Sequence, residues 1–213
     1  MYLSSIHLRL DMPSVRQCLA DAQDMHRNIM NLFGQEFESQ ARKRLGIVYR
    51  MYKTPGGIRL YLLSADRPDE SRLPPGFDMP EPSKDLAGVV KNFAAGQSYR
   101  FDLLASPVKK VAAEGKNSKR VFLTDPKQRL DWLNRKAAVA GFRVDWVREQ
   151  GTETVRAALK KKDAAITCMG VQFVGLLTVT DEKAFTKAYS EGIGVQKAYG
   201  FGLLLLAPAH DGA

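Results

Sequence analysis

A chain of 213 residues is long enough for one large domain or two of about 100 residues each. Its 32 lysines and arginines outnumber 23 aspartates and glutamates, a formal charge of +9 that favours an anionic partner, nucleic acid first. No apolar run reaches the roughly 18 residues that cross a bilayer, and the opening MYLSSIHLRLDMP lacks the apolar core of a signal peptide, so no membrane contact is expected and the chain reads as cytoplasmic.

Tyr2 to Leu10 alternates, with Ile6, Leu8 and Leu10 on one face and Ser5, His7 and Arg9 on the other, the pattern of a half-buried strand. Asp11 to Pro13 offers a helix start. Val15, Cys18, Leu19, Ala22, Met25, Ile29, Leu32 and Phe33 then repeat at helical spacing, predicting one helix that stops at Gly34. His26 falls on the flank of that stripe, Arg27 turns further into solvent, and Gln23 shares the side of His26. A histidine at such a border is normally structural; it is also the one side chain poised to exchange protons near neutral pH. Gln35 to Arg44 is a polar connector continuing as a short helix. Gly46 to Tyr52 and Gly57 to Leu63 read as strands joined by the turn Lys53-Thr54-Pro55-Gly56. Asp66 to Pro82, rich in proline and acids, cannot stay regular for long, and Leu86 to Phe93 reads as another strand. This order approaches a split β-α-β-β-α-β arrangement whose second helix is degenerate.

Gly96 begins a second unit, dividing the chain into 1–95 and 96–213. Tyr99 to Leu104 is a strand, followed by a flexible basic loop with Lys109, Lys110, Lys116, Lys119 and Arg120 and a short extended Val121 to Leu123. Asp125-Pro126 opens a helix with Leu130, Leu133 and Ala137 on its apolar face, in which Trp132 is expected to pack. Phe142 to Val147 alternates. From Glu153 to Thr180 two strands flank a turn of Lys160, Lys161, Lys162 and Asp163, with Arg156 nearby and Gly170 placed to bend or bulge the second strand. Such a hairpin is either a soluble turn or a clamp for RNA phosphates. Asp181 to Ser190 is a helix. The stretch from Arg100 to Asp163 holds 16 Lys or Arg against 8 Asp or Glu, so most of the excess charge is concentrated there.

The chain ends on Gly192, Gly194, Gly200 and Gly202 around Lys197, running into the apolar strand Leu203 to Leu206. Glycine permits positive φ and close backbone approach. A loop of this kind offers bare N–H groups to a phosphate, or it is a plain tight connection before a core strand. The spacings of the Rossmann and Walker loops are both absent, so no nucleotide cofactor is expected. Cys18 and Cys168 read as buried thiols. His7, His26 and His210 lack metal-ligand spacing, so no metal site is expected.

Four segments together resemble the CasE family, the CRISPR repeat-processing endoribonucleases of the Cascade surveillance complex. They are the M-Y-L-S opening, M-H-R on the first helix, F-D-L-L-A-S-P-V-K-K at Phe101 to Lys110, and G-I-G-V-Q-K-A-Y-G-F-G-L-L-L-L-A-P at the end. The resemblance implies an α+β fold of two tandem ferredoxin-like (RRM-like) domains. It implies metal-independent cleavage of the CRISPR repeat RNA at the base of its stem-loop, with the product hairpin retained among the other Cascade subunits. The family's catalytic histidine falls on His26. Many members carry a tyrosine one turn earlier, where this chain has Gln23, and Asp102 and Leu104 replace usual arginines, so some RNA contacts move elsewhere.

On this reading His26 is the general base or acid for attack by the ribose 2′-hydroxyl. Arg27 and Lys197 sit on phosphates near the cut. Arg156, Lys160, Lys161 and Lys162 grip the stem. Lys109, Lys110, Lys116 and the backbone at Gly192, Gly194 and Gly200 are further RNA contacts. A non-catalytic RNA-binding subunit and a small-molecule enzyme of the α+β class are the rival readings; the breadth of the basic surface disfavours the second.

Overall fold

The computed structural model describes residues 1–34, 44–112, 118–159 and 164–209. The connector at 35–43, Lys116, the turn from Lys160 to Asp163 and His210 lie outside the described residues.

Two antiparallel sheets are built in succession. The first holds β1 (Tyr2–Leu8), β2 (Val48–Thr54), β3 (Gly57–Ser64) and two-residue strands β4 (Phe77–Asp78) and β5 (Lys84–Asp85). Its order is β2-β3-β1-β4, with β5 also pairing β1. Alternation along β1 buries Ser4, Ile6 and Leu8. Ile6 and Leu8 meet Leu60 and Leu62 of β3 and the helical residues Val15, Cys18, Met25 and Ile29 in one core.

Two expectations fail in this half. The single helix is two, α1 (Pro13–Ala20) and α2 (Ala22–Asn31). Asp21 between them is extended, with φ −133° and ψ 109°, and its carboxylate accepts the N–H of Gln23. An aspartate that caps the following turn competes with a continuous helix. The apolar stripe runs across the break in phase, and so conceals it. Leu86 to Phe93 is not a strand but a short helix, α3 (Ala87–Lys91). The Asp85 carboxylate accepts from Ala87 N–H at 2.8 Å, and Leu86, Val90 and Phe93 turn at helical spacing towards Phe101, Phe173 and Phe185 in the core of the second sheet. Between β3 and β4 the described chain has one 3-10 turn, Glu70–Arg72, where a complete ferredoxin-like unit has its second helix.

The second sheet holds β6 (Ser98–Ala105), β9 (Phe142–Leu159), β10 (Ala164–Val179) and β11 (Leu204–Pro208) in the order β11-β6-β10-β9. Helices α4 (Pro126–Val139) and α5 (Glu182–Glu191) complete the β-α-β-β-α-β order. Both are capped by aspartate: Asp125 accepts from Gln128 N–H and Asp181 from Ala184 N–H. Phe101, Leu103, Trp132, Phe142, Phe173 and Phe185 fill this core. Each sheet has the strand order of a ferredoxin-like domain, so the fold is α+β with two such units in tandem.

The basic loop after β6 is more ordered than expected. β7 (Val108–Ala112) and β8 (Ser118–Phe122) pair as a separate hairpin with Lys110 opposite Arg120. β9 is continuous where two segments were expected, and with β10 it forms a long hairpin. No register shift falls at Gly170; the two shifts lie between Gln172 and Phe173, where Gln150 is the extra residue of β9, and between Leu176 and Leu177, where Asp145 is. Gly170 has a different task, since a Cβ there would lie 2.2 Å from the Phe201 ring.

A buried ion pair ties the sheets together. Arg50 of β2 is 1% exposed and its Nη1 donates to Asp102 Oδ1 of β6 at 2.5 Å. Tyr52 Oη and Gln172 Nε2 donate to Asp102 Oδ2 at 3.1 and 3.0 Å. The acid that departs from the family pattern is thus an inter-sheet fastener.

Candidate functional site

The second helix, the glycine-rich loop and the outer strand of the second sheet converge on one place. Helix α2 carries Gln23, His26 and Arg27 in its first two turns, the latter two being three and four residues after the first. His26 is half-buried and Arg27 exposed, with the Arg27 guanidinium paired to Asp24 on the same helix.

The glycine loop docks against that helix. Its tip is a 3-10 turn, Lys197–Tyr199, bounded by two left-handed residues, Gln196 at φ 61° and Gly200 at φ 89°. Tyr49 Oη of β2 donates to Ala198 O at 3.0 Å, and Tyr199 Oη donates to Gln23 Oε1 at 3.3 Å. Burial first, then the nearby Cys168 and Asp21, raises the Tyr199 phenol above its ordinary value. It is therefore a protonated donor at neutral pH.

The expectation of a bare N–H cradle is corrected at the base of this loop. Gly192 N–H is donated to Ala188 O, Ile193 N–H to Gly202 O and Gly202 N–H to Leu104 O. Gly192 and Gly200 are buried. A Cβ on Gly202, at φ 91°, would lie 2.6 Å from Ile193 O. Gly192 and Gly202 therefore fit two backbones together, while a Cβ on Gly200 would lie 3.3 Å from the Tyr49 ring. Lys197 Nζ donates to Glu191 O at 2.7 Å, placing this cation over the carboxyl end of α5.

The carboxylate of Asp21 reaches a third element. Its Oδ1, which caps α2, also accepts Ala158 N–H of β9 at 3.0 Å. Arg156 is exposed two residues earlier on the same strand. A cleft of about 780 Å³ opens between Cys18 and Ala22 on the helices, Arg50 and Tyr52 on β2, and Thr154 and Arg156 on β9. The helix thus carries a half-buried imidazole and a neighbouring guanidinium, a protonated phenol meets it at Gln23, and the cleft with Arg156 opens at its N-terminal end.

Of the expected residues, His26 and Arg27 lie on the helix that the glycine loop meets through Gln23, and Asp21 ties the strand of Arg156 to that helix. Lys109 and Lys110 are exposed on the separate β7–β8 hairpin. Lys116, Lys160, Lys161 and Lys162 lie outside the described residues. Sequence reasoning missed Tyr199, Tyr49 and Asp21. The tyrosine stood inside the quoted glycine motif, but nothing local ties it to position 23. Part of the basic excess is spent internally: Arg129 makes a two-pronged pair with Glu149 at 2.8 and 2.5 Å, and Arg143 bonds Asp145.

Among the described residues no group of three or more His, Cys, Asp or Glu side chains is placed to hold a metal ion, and no helix is long and apolar enough to cross a membrane. Cys18 and Cys168 are buried free thiols.

Known proteins place this architecture. A family model described as CRISPR associated protein matches residues 1–208. The CRISPR-associated endoribonuclease Cse3 of Thermus thermophilus is 31% identical, over 98% of this chain and 100% of that protein. The CRISPR system Cascade subunit CasE of Escherichia coli is 29% identical over 98% and 100%. A solved structure of Thermus thermophilus Cse3, bound to an RNA representing a pre-cleavage complex, superposes with a TM-score of 0.82 at 27% identity, covering 97% of this chain and 98% of that one. With a family match along nearly its whole length and two ferredoxin-like units in the same order, the chain belongs to the CRISPR-associated protein family, among its Cse3/CasE-type members.

Proposed function

We propose that this protein is the endoribonuclease that processes CRISPR repeat RNA, cutting at the base of the stem-loop and holding the product hairpin as a subunit of Cascade in the cytoplasm. The observation that carries the reading is the helix of His26 and Arg27, which the glycine loop meets at Gln23 and whose N-terminal end borders a cleft that Arg156 also lines.

The chemistry uses the RNA's own nucleophile and needs no metal. A base takes the proton of the ribose 2′-hydroxyl, and the oxygen attacks the adjacent phosphorus. The bond to the 5′-oxygen breaks, and an acid returns a proton to that oxygen. The products are a 2′,3′-cyclic phosphate, which opens to a terminal phosphate, and a 5′-hydroxyl. His26 performs one of the two proton transfers, a role worth about 10²–10⁴-fold in rate. Arg27 meets the negative charge that grows on the phosphate. Arg156, with Lys160, Lys161 and Lys162 of the sequence that follows it, holds the stem by its backbone, since duplex RNA is read mainly through shape and phosphates.

Incubation with a repeat hairpin in excess chelator tests the reading. Cleavage giving a 5′-hydroxyl and a cyclic or 3′-phosphate end is expected, with H26A binding the hairpin but leaving it intact. Tight binding without cleavage by the unaltered protein would favour the RNA-holding subunit instead. Undiminished cleavage by H26A would remove the histidine from the reaction.

A further inference from the structure

We propose that Tyr199 is a positioning residue for Gln23, and that the Gln23 amide donates a hydrogen bond to a non-bridging oxygen of the scissile phosphate. The inference rests on the reading of His26 given above and adds a neutral donor one turn from it.

Positions three apart on a helix lie on one side, so Gln23 and His26 look onto the same space. An amide has one acceptor end and one donor end. Tyr199 Oη occupies the acceptor end of Gln23 at 3.3 Å. With its carbonyl held, Gln23 turns its NH₂ away from the tyrosine and presents donors alone. Glutamine cannot transfer a proton at neutral pH, but it can stabilise an oxygen on which charge accumulates.

The tyrosine is held in place by more than its own contacts. Its turn is bounded by Gln196, the one non-glycine residue with positive φ among the described residues. A non-glycine residue is rare in this region and persists where its surroundings enforce it. Here Tyr49 Oη fixes the carbonyl of Ala198, and Gly202 N–H is bonded to Leu104 O. The Tyr199 ring packs beside Leu104, Cys168 and Phe201. Packing alone explains the ring; it does not explain a hydroxyl aimed at the side-chain carbonyl of the helix that carries the histidine.

Y199F keeps the ring and removes the hydroxyl. Under single-turnover conditions with saturating protein, Y199F and Q23A should each cleave about tenfold more slowly, the scale of one modest hydrogen bond, with hairpin affinity and melting temperature unchanged. The double variant Q23A/Y199F should be no slower than Q23A, because the two act as one unit. A sulfur in place of the contacted non-bridging oxygen should slow the unaltered protein and have a smaller effect on Q23A. Wild-type cleavage by Y199F, or a double variant whose losses multiply, overturns the proposal. H26A is run alongside: if it is inactive while Y199F is unimpaired, only this inference falls; if H26A cleaves normally, the assignment of the histidine falls as well.

Discussion

The two halves of the molecule use the same strand order to different ends. The second sheet is complete: both crossover helices are present and each is capped by an aspartate. The first is reduced: its fourth-strand position is shared by two pairs of residues, one crossover helix is represented by a 3-10 turn, and the other is broken at Asp21. The proposed histidine sits in the reduced half. The regular unit supplies a long hairpin and a docked glycine loop, and the irregular one supplies a helix short enough to be gripped from both. Regularity here belongs to the scaffold, and the proposed chemistry lies where the repeat is interrupted.

The sharpest test of this division is at the histidine. H26A should lower cleavage by about 10²–10⁴-fold without moving the melting temperature, measured by gel assay and thermal denaturation. A comparable loss of activity from a change confined to the β7–β8 hairpin would contradict it.

Next in size is the fastener between the halves. R50A strands Asp102, and breaking a buried pair costs about 3–5 kcal/mol. The Asp102 side chain keeps 27% exposure, which pulls the expectation to the low end. R50M/D102L should recover most of that loss, because apolar replacement removes both charges at once. Urea midpoints decide. An unchanged midpoint in R50A would mean that the two halves do not depend on this contact.

The helix break comes third. D21A removes the cap of α2 and should cost about 1 kcal/mol, read as a lower melting temperature, together with slower cleavage. D21N, which still offers a side-chain oxygen, should cost less.

The smallest effect is a pH dependence within the regular half. Burial lifts the Asp145 carboxyl, but the Thr178 hydroxyl at 2.6 Å and the Arg143 guanidinium at 2.7 Å outweigh it and hold the group below the ordinary carboxylate value. A depressed folded-state pKa stabilises fully above the unfolded value, about 3.9, and that contribution is lost as pH falls through the folded one. D145N should therefore be less stable than the unaltered protein at neutral pH, with the gap closing below about pH 4. Thermal melts across an acid series measure it.

What the amino acids disclose follows the same division. The regular half is legible where its signals are local: Asp125-Pro126 and Asp181 announce helices and the glycine-rich ending announces the last strand, whereas nothing local announces the β7–β8 pairing or the unbroken run of β9. The reduced half defeats local reading. The helix break is hidden by an apolar stripe that keeps its phase, and Leu86 to Phe93 offers β-branched valines that mimic a strand. The site is partly legible, since His26 and the glycine loop are visible by pattern and resemblance. The contact of Gln23 with Tyr199 spans 176 positions, and Asp102 shows only as an exception until Arg50 is placed beside it.

The carboxylate of Asp21 has one further consequence. A single oxygen receives Gln23 N–H and Ala158 N–H together, so the end of β9 and the first turn of the histidine's helix share one hydrogen-bond acceptor. Any displacement of that strand therefore shifts the turn from which the histidine's helix starts, so the two halves cannot be re-angled without the capping carboxylate giving up one of its donors.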